Sequence, residues 1–159
     1  MPNWCSNGVE ISHDDPFKIK ALADAMMEGK FLNHVIPVPT DLTETMAGSY
    51  GDDEAKEQAN LEKYGAKNWY DFCVARWGTK WDVDCNGVEV SEDGKTVTAS
   101  FESAWSPPTG VYEELVDLGF QVVGYYYEPG MAYVGKYDNG IDECLEYGGE
   151  NSKTVRDAI

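Results

Sequence analysis

Residues 68–81, NWYDFCVARWGTKW, decide how the chain is to be divided, because they hold three of the five tryptophans and separate the most acidic stretch from the most strand-like one. Asn68 is a good helix cap, since its side-chain oxygen accepts from a free amide of the first turn. Trp69, Phe72, Cys73, Arg76 and Trp77 then fall at the spacing that lines one side of a helix. Gly78 predicts the stop. Beyond it, Thr79-Lys80-Trp81 sets one cation between two indoles, a combination suited to closing a core, stacking a ligand or clamping a partner.

Toward the N-terminus, Cys5, Val9 and Ile11 alternate with Ser6, Glu10 and Ser12, which predicts a strand over residues 3–12. Asp15 caps an expected helix that begins at Pro16, carries Ile19, Leu22, Ala23, Met26 and Met27 as its apolar stripe, and ends at Gly29. Phe31–Pro39, FLNHVIPVP, is apolar and closed by prolines, and reads as a short buried connection or edge strand with His34 a partly buried structural histidine. Residues 40–67 change character: Asp41, Glu44, Asp52, Asp53, Glu54, Glu57 and Glu62 face only Lys56, Lys63 and Lys67. This segment reads as an acidic surface insertion with a short solvated helix over residues 53–64.

Toward the C-terminus, Val83–Ser91 and Lys95–Trp105 read as a hairpin around Glu92-Asp93-Gly94, with Val97, Ala99, Phe101, Ser103 and Trp105 on one face. Ser106-Pro107-Pro108 breaks the second strand and opens a helix carrying Val111, Leu115 and Leu118, closed by Gly119. Phe120–Tyr127, FQVVGYYY, is strongly strand-like; Glu128-Pro129-Gly130 turns it, residues 131–137 return, and Asp138-Asn139-Gly140 leads into an edge strand over residues 141–147. Setting aside the insertion and its neighbouring helix leaves βαββαβ. The expected fold is therefore an α+β, ferredoxin-like sandwich, an antiparallel sheet with helices on one face and an extra C-terminal hairpin. It is expected to occupy residues 1–147 as one domain, followed by a polar tail over 148–159.

Four motifs occur together: Met1-Pro2-Asn3-Trp4-Cys5-Ser6-Asn7; Trp69-Tyr70-Asp71 with Trp77-Gly78-Thr79-Lys80-Trp81; Ala104-Trp105-Ser106-Pro107-Pro108; and Tyr126-Tyr127-Glu128-Pro129-Gly130-Met131. The set resembles the YubB-like, or Api-type, family encoded by phages, prophages and plasmids, over roughly residues 1–137. The resemblance implies a ferredoxin-like domain and a mobile-element origin; it implies no catalytic residue. "Ferredoxin-like" concerns topology alone, because Cys5, Cys73, Cys85 and Cys144 are too scattered for an iron–sulfur cluster, and none is expected.

Composition limits the function. At 159 residues the chain is the size of one domain, and 29 Asp and Glu against 12 Lys and Arg give a formal net charge of −17. Direct binding to nucleic acid or to an anionic membrane is not expected, since both call for a basic face. The unpaired cysteines read as reduced thiols, no stretch reaches about 18 consecutive apolar residues, and the opening residues show no signal peptide, so a cytoplasmic address is expected.

Two constellations stand out. Trp4, Trp77, Lys80, Trp81, Glu102, Trp105, Tyr127 and Glu128 are candidates for a cleft at one end of the sheet, with Glu102 and Glu128 as acid or base groups and Lys80 as an anion contact. The reading that asks least of them is large core side chains. Asp82, Asp84, Asn86 and Asp93 follow the spacing of a calcium loop, with Gly87 at the turn and Asp in place of the final Glu. The strand-like Val88-Glu89-Val90 within that loop argues against it, and no other cofactor is expected. The leading functional expectation is an accessory protein that binds a host or defence protein with a basic surface, as an inhibitor or nucleic-acid mimic. A small-molecule or catalytic domain with a tryptophan-lined cleft, and a calcium-binding module, are the competing expectations.

Overall fold

The computed structural model describes residues 3–43, 54–130 and 132–146. Residues 44–53 of the acidic insertion and the expected tail over 148–159 lie outside them. In chain order the elements are β1 (Trp4–Ser12), α1 (Pro16–Met27), α2 (Phe31–Val35), α3 (Thr40–Thr43), α4 (Glu54–Tyr64), α5 (Trp69–Arg76), β2 (Asn86–Val90), β3 (Thr96–Ala104), α6 (Thr109–Asp117), β4 (Gln121–Glu128), β5 (Tyr133–Asp138) and β6 (Ile141–Glu146). The protein is α+β: the six strands form one sheet in the order β2-β3-β1-β4-β5-β6, and every neighbouring pair is antiparallel.

Period-two patterning decides which face of the sheet is covered. Along β1, Cys5, Asn7, Val9 and Ile11 are buried while Trp4, Ser6 and Glu10 are exposed, and on β3 Val97, Ala99 and Phe101 are buried between exposed Thr98, Ser100 and Glu102. Val9, Ile11, Val97, Phe101 and Val122 share one core with Ile19, Leu22 and Met26 of α1, Phe31 and Leu32 of α2, Phe72 and Cys73 of α5, and Val111, Tyr112 and Leu115 of α6. Among the described residues nothing covers the opposite face along β1 and β3; a methyl group added at Gly8 there would meet none of them within 4 Å.

Local chemistry explains the helix boundaries. Asp15 caps α1 by accepting from the Phe17 amide, with Pro16 at the first position, and Asn68 caps α5 by accepting from the Asp71 amide at 2.9 Å. α5 ends where Gly78 takes φ +90, which a residue with a Cβ adopts only under strain. Its C-terminus then receives the start of α6: the Gly110 amide donates to the Trp77 carbonyl at 3.1 Å, and a Cβ on Gly110 would stand 2.0 Å from the Arg76 carbonyl oxygen.

Six expectations need correction. His34 is exposed on α2, and Leu118 is exposed one residue past the end of α6. Phe31–Pro39 begins as the helix α2, because the carboxylate of Asp82, distant in sequence, accepts from the Leu32 and Asn33 amides at 2.9 Å each and caps it. Met27 is 64% exposed, one position beyond the face that α1 buries, while Ala25 takes a place in the core. β2 starts at Asn86, since Val83 is buried off the sheet. β3 ends at Ala104, because Trp105 turns to φ +71, where its amide donates to the Asn3 carbonyl at 2.8 Å and its carbonyl accepts from the Tyr133 hydroxyl. Among the described residues no helix is long and apolar enough to cross a membrane.

The α5–α6 contact leaves no room for a side chain. Gly110→Ala is expected to cost about 3 kcal/mol or more of stability in urea unfolding, whereas Gly8→Ala on the open face stays within about 1 kcal/mol of wild type. Equal costs at the two positions would contradict this packing.

Candidate binding site on the open face of the sheet

The ladder register brings the open-face side chains together. Ser6 lies opposite Glu102 on β3 and Tyr127 on β4, Gly8 lies opposite Ser100 and Tyr125, and Trp4 lies opposite Ala104. The exit from α5 crosses the same end of the sheet and is pinned there by polar contacts. Thr79 Oγ1 donates to the Ala104 carbonyl at 2.8 Å, and Ser106 Oγ donates to the Gly78 carbonyl at 2.5 Å. Asp82 adds a third anchor, accepting from Leu32, Asn33 and its neighbour Val83.

Held in this way, Trp81 stands against Trp4 with ring centroids 6.1 Å apart and planes tilted by 37°. Beside the two indoles lies a cavity of about 480 Å³. Asp82, Asp84 and Glu102 bring carboxylates to its lining, and Ser6, Asn86 and Ser100 bring neutral polar groups. Trp4 and Trp81 are each 42% exposed, so their ring surface is available to a ligand. Indole faces attract cations and carboxylates pair with them, so the arrangement suits an organic cation that is flat or apolar along its stem, such as a guanidinium or an alkylammonium.

The candidate residues divide accordingly. Trp4, Trp81 and Glu102 of the expected cleft meet in this cavity, joined by Asp82, Asp84 and Asn86, which the sequence pointed to as calcium ligands. Tyr127 is half-buried on the same face, opposite Ser6. Lys80 sits against Trp81, with its ammonium 4.2 Å from that ring's centroid. Trp77 is buried and donates its indole N–H to the Ile36 carbonyl at 2.9 Å. Trp105 is half exposed where it leaves β3. Glu128 is fully buried on the helix-covered side of β4, where it accepts from the Gly130 amide at 2.6 Å.

Asp93 sits at the far end of the β2–β3 hairpin from Asn86, about 13 Å along the strand at ordinary strand rise. There it accepts from Ser91 Oγ at 2.6 Å and the Lys95 amide at 3.0 Å, bonds that hold its pKa below the usual carboxylate range. Among the described residues no group of three or more His, Cys, Asp or Glu is placed to hold a metal ion.

Burial pushes the Asp82 carboxyl above its ordinary pKa, against three amide donors that act the other way, and the Asp84 charge adds to the rise. Burial also pushes the Cys73 and Cys85 thiols up to about 12, so neither is a thiolate nucleophile at neutral pH. The residues that sequence reasoning missed are Ser6 and Ser100, whose only signal was their place opposite the buried positions of alternating strands.

No family model and no curated protein matches the chain. Among solved structures, the crystal structure of a protein api92 from Yersinia pseudotuberculosis, family-model DUF1281, is similar over 94% of this chain and 99% of that chain, at 13% identity and a TM-score of 0.45.

Because the raised pKa of Asp82 means that the folded state binds its proton more tightly than the unfolded state does, Asp82 costs stability as pH rises through and above the ordinary carboxylate range. Urea melts between acid and neutral pH are therefore expected to show wild type losing more stability than Asp82→Asn over that rise. Parallel curves would contradict the placement of this carboxylate.

Proposed function

We propose that the chain binds a partner protein through its acidic surface, and that the Trp4–Trp81 cavity receives a lysine or arginine side chain from a basic segment of that partner. The observation that carries this reading is the pairing of two half-exposed indoles, 6.1 Å apart, with the carboxylates of Asp84 and Glu102 on a chain of net charge −17. The charge draws a basic partner in from a distance, and the cavity then fixes one of its side chains.

The strand order β2-β3-β1-β4, with helices α1 to α5 between β1 and β2 and α6 between β3 and β4, supports a ferredoxin-like reading, in which β5 and β6 form an added hairpin. Together with the four sequence motifs it supports an Api-type accessory protein of a phage or plasmid, acting in the cytoplasm on a host or defence protein. A carboxylate-rich surface of this kind suits a groove shaped for phosphate, which is the nucleic-acid-mimic form of the proposal. The size of the cavity, about 480 Å³, also favours a second reading, in which a small organic cation is the ligand.

The test is titration with the peptide (Arg-Ala)₄, followed by tryptophan fluorescence and calorimetry, beside free arginine methyl ester and (Glu-Ala)₄. The arginine peptide is expected to bind, to weaken as salt rises, and to lose roughly 3- to 10-fold in affinity with Trp81→Ala or Glu102→Gln. Equal binding of the acidic peptide, or full affinity in both variants, would contradict the proposal; binding of the ester as tight as the peptide favours the second reading.

A further inference from the structure

We infer that the partner segment presents a large apolar side chain next to its cationic one, and that a second groove, on the other flank of Trp81, receives it; the inference rests on the reading of the Trp4–Trp81 cavity as a cation site. The groove encloses about 270 Å³ and is lined by Val38, Trp69, Cys73, Trp77, Lys80 and Trp81. Trp81 and Asp82 line both hollows, whereas Trp4 and Glu102 line only the first and Lys80 only the second. Trp81 is thus the wall between a carboxylate-lined hollow and an apolar one.

Several polar groups of the second groove are already committed. The Trp77 indole N–H donates to Ile36, Asn33 Oδ1 accepts from the Val38 amide at 2.9 Å, and Asp82 accepts from three backbone amides. A ligand there finds few free hydrogen-bonding partners and a mostly apolar wall. The Lys80 ammonium over Trp81 offsets on this flank the Asp82 carboxylate that both hollows share, so a second arginine or lysine meets no surplus of negative charge there. Charge therefore sorts the two side chains of a basic, apolar segment: the cation goes toward Glu102 and Asp84, the uncharged group toward Trp69 and Trp77. A surface that only imitated phosphates would need the first hollow and not the second.

The experiment uses fluorescein-labelled (Arg-Ala)₄ and the four versions in which one alanine at a time becomes leucine, so that the spacing need not be assumed. At least one leucine version is expected to bind wild type about 10-fold more tightly than the parent. In Val38→Ser, and in Trp69→Ala if its melting temperature stays near wild type, the gain falls below about 2-fold while affinity for the parent holds. Trp4→Ala weakens parent and leucine versions alike. No gain from any leucine version, or a full gain that survives in Val38→Ser and in a folded Trp69→Ala, overturns the inference and leaves the cation site standing. Absence of binding by every peptide removes both.

Discussion

Strand β1 is hydrogen-bonded on both sides, to β3 through nine residue pairs and to β4 through seven. Neither face of it can turn without breaking two ladders, and a slip of one residue would carry Cys5, Val9 and Ile11 to solvent and Trp4, Ser6 and Glu10 into the core. The core and the candidate site are therefore two results of one register. Burying the apolar set against α1 and α6 is what presents Trp4 and Ser6 on the open face, opposite Ala104 and Glu102.

The second half of the site depends on polar anchoring. Between α5 and β2 the chain has no regular structure, yet Thr79 and Ser106 tie it to the end of β3 and Asp82 ties it to the first turn of α2. Buried or half-buried groups that lose such partners pay a desolvation cost, so the anchors hold Trp81 in one place although its ring is half exposed. Preorganisation of this kind matters for binding, because a ligand then need not order the indoles itself. The surrounding surplus of carboxylates repels itself, and a basic partner relieves that repulsion on contact.

Much of this was legible in the sequence where the deciding interaction is local. The alternation in residues 3–12, the Asp15 cap with Pro16, the Asn68 cap, and the turn at Asp138-Asn139-Gly140 each depend on neighbours within a few positions, and each led to the element expected. The helix α2 was not legible because its cap comes from Asp82, fifty positions from Leu32. Trp105 continued the alternating pattern of β3, and only contacts with Asn3 and Tyr133 pull it out of the strand. For the site, Trp4, Trp81 and Glu102 were evident as residue types, while their meeting with Asp84 and Asn86 depends on the β1–β3 register and on a pinned loop, neither of which has a short-range signal. Glu128 was expected as an acid or base group of the cleft, but the strand parity that buries Tyr126 buries it as well.

Binding of a basic segment by the open face of the sheet can be read directly by mapping (Arg-Ala)₄ onto the protein with amide and indole N–H chemical shifts. Perturbations are expected at Ser6, Gly8, Ser100, Glu102 and the indoles of Trp4 and Trp81, with the exposed positions Lys18 and Lys20 of α1 unmoved. Shifts concentrated on α1 and α6, with the two indoles silent, would contradict it.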